Sequence, residues 1–382
     1  MANSGKLEQQ IAVFGESGSG KTVLISSFYG VTQEPQYIQR NRFNVVADDI
    51  GQSNRLHQNY LGMRNSAKVP DPTRFRATSY SFSIRMQETA NAKQRKSSPD
   101  ALHLVWHDYP GEWFEQAVSG EEEAQRRIET FRALLGSDVA FLLVDAQKLI
   151  DHAGEEERYL KSLLSNYRNG ILSLKEELLP NGKPLVNFPR IWLMALSKSD
   201  LLPQMSVRLF KELLIEKACE EIIELRKVLS GFVVESQAIS VCEDFMLLSS
   251  AKFNPGSIVV AEHVGLELII PLAAMLPFER HVKWANAKVI AGKVAERLLS
   301  NVDTIAALLL GRKGKGVRII STIARAAIPD FVEDAVKLAG DQLRKLNADA
   351  REKHDSIGAA LTLFKMDLEA GEAQQILMRS TQ

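Results

Sequence analysis

The stretch GESGSGKT, residues 15–22, decides how this chain folds. It follows the apolar run IAVF (11–14), whose β-branched members are typical of a buried parallel strand, and it precedes VLISSFYG, which can continue as a helix. In a strand, glycine-rich turn and helix arrangement, successive backbone N–H groups face phosphate oxygens. Every fixed position of the pattern GxxxxGK[ST] is matched, so we predict a phosphate-binding loop after the first strand.

Each residue type in this loop has a chemical reason. The glycines let the backbone curl around the phosphates, Lys21 reaches the β- and γ-phosphates, and the Thr22 hydroxyl is a ligand for Mg²⁺. We therefore predict Mg²⁺ as cofactor. The predicted nucleotide-binding residues of the loop are Gly15, Glu16, Ser17, Gly18, Ser19, Gly20, Lys21, Thr22 and Val23.

Three further stretches follow in order, each at the end of an apolar strand. ALHLVWHDYPGEW (101–113) alternates in hydrophobicity and contains Asp108-Tyr-Pro-Gly111. RIWLMALSKSD (190–200) ends in SKSD, and FMLLSSAK (245–252) ends in SSAK. Strands that alternate with helical patterns in this way predict an α/β fold with a parallel sheet.

This order of motifs resembles the translation-factor-type (Ras-like) P-loop GTPases, over about residues 8–255. The resemblance implies a three-layer sandwich with a mostly parallel sheet and one antiparallel edge strand. It also implies that Asp108 holds Mg²⁺ through a water molecule and that the N–H of Gly111 contacts the γ-phosphate. Lys21 and Gly111 are therefore expected in the catalytic set, and GTP and GDP are the expected substrate and product.

The SKSD stretch resembles the family's NKxD motif, with serine where asparagine or threonine is usual. By this resemblance Asp200 accepts from N1–H and the exocyclic amine of guanine, while the stem of Lys198 packs over the ring; adenine does not offer that pair of donors. SSAK resembles the loop whose alanine N–H donates to guanine O6, which adds Ser250, Ala251 and Lys252 to the nucleotide-binding set. An ATPase is the alternative if Asp200 does not face the base.

A threonine ahead of the strand TSYSFSIRM (78–86) is expected to complete the magnesium shell. Thr73 is the candidate for this metal-binding and catalytic role, and Thr78 is the alternative. The strand at 78–86 and the strand that ends at His107 are joined by a polar linker, so they predict a hairpin and hence an antiparallel edge.

The predicted catalytic set also contains Glu112, which follows the DxxG glycine directly, where Ras-like proteins have glutamine. Glu112 is a candidate for orienting water, and a salt-bridged switch residue is the alternative interpretation. Ser17 stands where many family members have glycine, which favours slow turnover. Asp145, at a strand end, is expected to be structural. We predict slow GTP hydrolysis that a partner or self-association accelerates; a non-hydrolysing GTP-binding scaffold is the alternative.

The chain is expected to divide into a P-loop GTPase domain, 1–276, and an all-helical C-terminal domain, 277–382, whose last helix covers about 356–378. Residues 280–325 hold ten basic and two acidic residues. A bundle packed on the GTPase domain with a solvated basic face is one interpretation, and membrane contact is another, as in a dynamin-like GTPase. Nucleic acid is disfavoured because the region has few aromatic residues.

Composition agrees with a folded protein that has no strong charge bias. Among the 382 residues, Lys+Arg and Asp+Glu both number 47, so the net charge points to neither nucleic acid nor membrane. The N-terminus lacks a secretory signal pattern, so we expect a cytoplasmic protein. The helical domain is expected to report the nucleotide state to a protein partner. The arrangement is similar to bacterial double-GTPase-type proteins, some thought to act in defence or stress systems.

Overall fold

A computed structural model describes most of the chain, in the ranges 8–41, 43–71, 78–86, 100–108, 111, 120–186, 188–286 and 363–380. Its strands are β1 (Glu8–Phe14), β2 (Phe43–Ala47), β3 (Thr78–Met86), β4 (Asp100–Asp108), β5 (Val139–Asp145), β6 (Ile191–Ser197), β7 (Ser240–Leu247), β8 (Lys252–Asn254), β9 (Ser257–Val259) and β10 (Leu377–Met378). Its α-helices are α1 (Lys21–Thr32), α2 (Pro35–Arg40), α3 (Ile50–Ser66), α4 (Glu121–Leu134), α5 (Ala146–Asp151), α6 (Glu156–Ser173), α7 (Lys175–Leu178), α8 (Val207–Ser230), α9 (Ile269–Asn286) and α10 (363–373). Short 3₁₀ turns lie at Pro180–Gly182, Ser199–Leu201 and Leu266–Leu268.

The described strands form an eight-stranded sheet in the order β10-β7-β6-β5-β1-β4-β3-β2, beside a separate β8–β9 hairpin. The five strands from β7 to β4 are parallel, and β3 and β2 continue the sheet antiparallel at one edge. The predicted fold class is therefore confirmed. Strands β5 and β6 are buried at every residue because helices cover both faces of the sheet.

Side chains alternate between two core layers along the central strand β1. Ile11 and Val13 join the layer formed with α1, α3 and α9, whereas Ala12 and Phe14 join the layer formed with α4, α6 and α8. Because β1 is parallel to both β4 and β5, its carboxyl end carries residues 15–20 to the carboxyl edge of the parallel strands. That edge is where open α/β sheets bind ligands.

The predicted hairpin between β3 and β4 is confirmed, with Thr78 opposite Asp108 in register. Strand β2 extends this edge beyond the prediction, pairing antiparallel with β3 from Phe43 to Ala47. Between the two strands, Ser83 donates to the Oδ1 atom of Asp48, which directly follows β2, at 2.7 Å. Strands β4, β3 and β2 are therefore three consecutive strands with antiparallel pairing at this edge of the sheet.

The C-terminal residues return to the sheet. Leu377 and Met378 pair antiparallel with β7, and the described helix before them ends at 373. The prediction of one helix running to Met378 is therefore wrong at its C-terminal end, because sheet pairing with β7 overrides the helical spacing of the sequence. Upstream, the ring of Phe364 meets that of Phe43 edge to face at 5.4 Å between centroids. Residues 363–380 thus contact both edges of the sheet.

A buried ion pair fixes the chain terminus against α9. Arg280 Nη2 donates to Asp244 Oδ1 at 2.6 Å, and their side chains are 4% and 0% exposed. The same oxygen accepts the N–H of Ser380 at 2.8 Å, and Arg280 Nη1 donates to the Ser380 carbonyl. Removing either partner of this pair would leave an unpaired buried charge, which is strongly destabilising.

Helix α9 continues through position 277, the predicted start of the C-terminal domain, and contains Pro277. Within the described ranges, no helix combines the length and apolar character that crossing a membrane requires.

Candidate functional site

The loops after β1, β5, β6 and β7 meet at the carboxyl edge of the sheet and enclose a cavity of about 340 Å³. Three stretches singled out in the sequence border this one cavity, although they lie far apart along the chain. The lining residues are Gly18, Ser19, Gly20, Val23, Leu24, Val69, Gln147, Ser197, Lys198, Asp200, Leu201, Leu248, Ser249, Ser250 and Phe253.

The glycine-rich loop has the backbone conformation that its sequence predicts. Gly18 and Gly20 have φ angles of 78° and 90°, in the left-handed region that favours glycine. Helix α1 begins at Lys21, so the N–H groups of its first turn lie at the end of this loop. Lys21 is buried, and its Nζ donates to the carbonyl oxygens of Gly15 at 2.7 Å and Glu16 at 3.1 Å.

The DxxG stretch lies directly against the glycine-rich loop. Asp108 ends β4, next to β1, and is 1% exposed. A Cβ atom added to Gly111 would stand 2.3 Å from the backbone nitrogen of Ser17 and 2.4 Å from the carbonyl carbon of Glu16. The approach between the two backbones is thus closed to any residue but glycine.

Two of the predicted catalytic residues, Thr73 and Glu112, lie outside the described residues. The alternative switch threonine, Thr78, begins β3 and is paired in register with Asp108.

An ion pair joins the SKSD stretch, at the end of β6, to the last residue of β5. Lys198 has a φ of 54°, an unusual conformation for a residue with a side chain, and its Nζ donates to Asp145 Oδ2 at 2.7 Å. Asp145 is 3% exposed, and its other oxygen accepts the N–H of Gln147 at 2.9 Å, which caps α5. Ser197 Oγ donates to the Val144 carbonyl at 3.2 Å. One buried carboxylate thus fixes both the lysine and the start of a helix.

The SSAK stretch contacts the carboxylate of the SKSD stretch. Ser249 Oγ lies 2.6 Å from Asp200 Oδ1 and 2.8 Å from the Ala251 carbonyl, so its single proton has two acceptors within reach. The N–H of Phe253 points at Asp200 Oδ2 from 3.5 Å. Lys252, by contrast, is directed to the surface, where its side chain is 51% exposed and pairs with Glu262 at 3.0 Å.

Charged groups continue from the glycine-rich loop into α5. Lys148 Nζ donates to Glu16 Oε2 at 2.7 Å, and their side chains are 33% and 9% exposed. Behind them, the hydroxyl of Tyr159 accepts the N–H of Asp145 at 3.1 Å. Burial, together with the charges of Glu16 and Asp145, raises the pKa of Tyr159, so this phenol stays neutral at physiological pH.

Nine residues at or beside the cavity were not predicted as site residues: Leu24, Val69, Gln147, Lys148, Ser197, Leu201, Leu248, Ser249 and Phe253. Val69 and Phe253 are large apolar side chains left 46% and 37% exposed. The sequence carries a weak signal for Phe253, which immediately follows SSAK, and for Lys148, which comes three residues after the acid that ends β5. Neither signal separates these residues from ordinary surface positions.

The donor set near the loop suits a hard cation. Among the described residues, no group of three or more His, Cys, Asp or Glu side chains could hold a metal ion. Magnesium, however, needs only one or two protein oxygens, because phosphates and waters fill its other positions. The Thr22 hydroxyl at the start of α1 and the Asp108 carboxylate at the end of the adjoining β4 are donors of that type.

The family comparison gave a match over more than half of the chain. A family model described as Double-GTPase 2 matches residues 9–228. That span begins in β1 and ends within α8, so it contains the glycine-rich loop, the DxxG stretch and SKSD. A comparison with curated proteins gave no match.

Solved structures similar to this chain include three of different origin. The signal recognition particle receptor SRb-GTP/SRX complex from Chaetomium thermophilum is 20% identical, with a TM-score of 0.34, over 65% of this chain and 93% of that one. The cytosolic domain of the T. maritima FeoB iron transporter in apo form is 12% identical, with a TM-score of 0.28, over 97% and 100%. Methanosarcina barkeri Roco2 bound to GDP is 12% identical, with a TM-score of 0.25, over 94% and 91%. At these values the three structures carry no argument about function.

Proposed function

Because this chain belongs to the Double-GTPase 2 family and is thereby a GTP-binding P-loop GTPase, we propose that it is a slow, magnesium-dependent GTP hydrolase that acts as a molecular switch. The observation that carries the proposal is the single cavity bordered by the glycine-rich loop, SKSD and SSAK. In this proposal GTP orders the segments around Thr73 and residues 108–113, and hydrolysis releases them.

The base end of the cavity supports selection of guanine. Asp200 accepts from N1–H and the 2-amino group, and Ala251 donates its N–H to O6. Asp200 is oriented by Ser249 and the N–H of Phe253, so both of its oxygens are held by the SSAK side of the cavity. Adenine would leave the carboxylate without its two donors, which is the kind of mismatch that gives strong discrimination.

The phosphate end supports a transfer reaction that depends on positioning and charge. Lys21 reaches the β- and γ-phosphates, while Thr22, Asp108 and Thr73 would hold Mg²⁺, which neutralises charge that develops on the phosphate oxygens. The N–H of Gly111 would contact the γ-phosphate. Support for this role comes from its backbone, which packs on Glu16 and Ser17.

The expected rate is low because Glu112 replaces the glutamine that usually orients water. A carboxylate beside an anionic γ-phosphate is repelled by it and orients water less well. Ser17 adds a side chain to the loop where many relatives have none. In the proposal, a protein partner or a second copy of the chain raises the rate.

The C-terminal segment would carry the nucleotide state to a partner. Its helix α10 contacts the edge of the sheet through the Arg40–Asp367 ion pair, at 2.6 Å, and through the Phe43–Phe364 ring pair. Arg40 and Phe43 lie shortly before α3, the helix that precedes the segment around Thr73 in the chain. In the proposal, α3 and these two contacts carry a shift of that segment to α10.

Phosphate release tests the proposed activity. With Mg²⁺ and GTP, the wild-type protein should turn over at about 10⁻³ s⁻¹, the rate scale of unassisted GTPases. ATP should give no release, and removal of Mg²⁺ should abolish the reaction. The variant Lys21→Met sets the background, because it removes the ammonium that neutralises the phosphates.

Two results would overturn the proposal in different ways. GTP binding with phosphate release no faster than in Lys21→Met would leave a GTP-binding scaffold in place of an enzyme. Equal release from ATP and GTP would mean that Asp200 does not read the base. A rate that rises with protein concentration would identify self-association as the activator, and a constant rate would point to another partner.

A further inference from the structure

The glycine-rich loop contains a carboxylate, which repels the phosphates of the proposed ligand. Glu16 lies inside the loop, and its side chain is only 9% exposed. A buried carboxylate near a triphosphate raises the electrostatic cost of binding, since like charges repel strongly where water is excluded. The chain therefore needs a cation for Glu16 if the loop is to attract phosphate.

Lys148 supplies that cation from another part of the chain. Its Nζ lies 2.7 Å from Glu16 Oε2, and the two residues are 132 positions apart. Lys148 belongs to α5, which is capped by Asp145, the same carboxylate that holds Lys198 at the base end of the cavity. One short helix thus joins the loop at the phosphate end to the loop at the base end through two ion pairs.

The ion pair of Glu16 with Lys148 also bears on the charge around Lys21. The ammonium of Lys21 lies 3.1 Å from the carbonyl oxygen of Glu16 itself. With its carboxylate paired to Lys148, Glu16 adds no unpaired negative charge to the loop that holds this ammonium.

We propose that Lys148 is a positioning residue for nucleotide binding: it neutralises Glu16 and holds the glycine-rich loop in a phosphate-accepting state. The inference rests on the proposed binding of guanine nucleotide in this cavity. Because the penalty of an unpaired Glu16 grows with the charge of the ligand, GTP suffers more than GDP.

A set of variants measured by titration calorimetry with GDP and a non-hydrolysable GTP analogue tests this role. Lys148→Met should weaken binding of the GTP analogue about tenfold, and binding of GDP less, because one partner of a largely desolvated pair is left alone. Glu16→Gln strands no buried charge and serves as the reference for the double variant. The double variant Glu16→Gln/Lys148→Met should recover to the level of Glu16→Gln.

Two control variants distinguish the loss of the charge at Lys148 from a general effect on folding. Lys217→Met removes a lysine of matched exposure, 32%, whose ion pair with Glu216 at 2.8 Å lies on α8, and it should bind as wild type. Lys148→Arg keeps the charge and should retain affinity.

The outcomes distinguish this inference from the proposed function. If wild type binds both nucleotides and Lys148→Met binds equally well, the inference fails and the proposed function stands. If the double variant is as weak as Lys148→Met, Lys148 acts through something other than Glu16 and the inference fails. If wild type binds neither nucleotide, the proposed function fails, and the role of Lys148 fails with it.

Discussion

Asp200→Asn is expected to lower the affinity for GDP by roughly a thousandfold. Two hydrogen bonds from guanine to a carboxylate contribute about 4 kcal/mol together, and each 1.4 kcal/mol is a factor of ten. The lower affinity comes from the lost acceptor and not from a displaced side chain. The amide oxygen of the new side chain can still accept a hydrogen bond from Ser249 Oγ, as Asp200 Oδ1 does at 2.6 Å. Calorimetric titration of wild type and variant with GDP in Mg²⁺ measures the difference.

Xanthosine diphosphate provides the complementary test, because it should favour the Asp200→Asn variant. Xanthine has a carbonyl oxygen in place of the 2-amino group, so the amide N–H of the variant has an acceptor there, and affinity should return toward the wild-type GDP value. Asp138→Asn is the matched control: this aspartate precedes β5 at the opposite end of the strand and accepts the Gln10 N–H at 2.8 Å. An Asp200→Asn variant that binds GDP as well as wild type would mean that Asp200 does not read the base.

Gly111→Ala should reduce GTP turnover by about a hundredfold while GDP affinity stays within about threefold. The added methyl group would overlap backbone atoms of Ser17 and Glu16 at 2.3 and 2.4 Å, so the DxxG segment must move away from the glycine-rich loop. A displacement of about 1 Å in a reacting site costs on the order of a hundredfold in rate. Single-turnover phosphate release, with GDP titration in parallel, separates the two effects.

Gly120→Ala is the control for the glycine substitution. A Cβ atom at Gly120 would meet nothing within 4 Å, and the residue is extended, with a φ of 170°. This variant should turn over GTP at the wild-type rate. Equal turnover in Gly111→Ala and wild type would contradict the γ-phosphate contact, and an equal loss of GDP affinity would indicate damage to the whole loop.

Much of the fold could be predicted from the sequence because its central elements carry their own patterns. The buried strands β5 and β6 are continuous apolar runs, and α6 and α8 repeat leucine and isoleucine at helical spacing. The two-residue strand β10 is different. It is too short to leave a pattern, and only its pairing partner, β7, defines it.

The candidate site likewise has parts that the sequence predicts and parts that it does not. The conformation of the glycine-rich loop is local, since Gly18 and Gly20 adopt φ angles that other residues resist, and so the loop could be predicted from its residues alone. The sequence did not indicate which cation neutralises Glu16. Lys148 has the composition of any surface lysine, and nothing near it in the chain sets it apart.

The contacts that join the separate motifs became visible only in the folded chain. The Glu16–Lys148 pair, the hold of Asp145 on Lys198 and the orientation of Asp200 by Ser249 join residues 49 to 132 positions apart. Such contacts depend on strand order and on the direction of side chains at the carboxyl edge of the sheet. Electrostatic and hydrogen-bond energies act over a few ångströms of space, and distance along the chain does not encode that spacing.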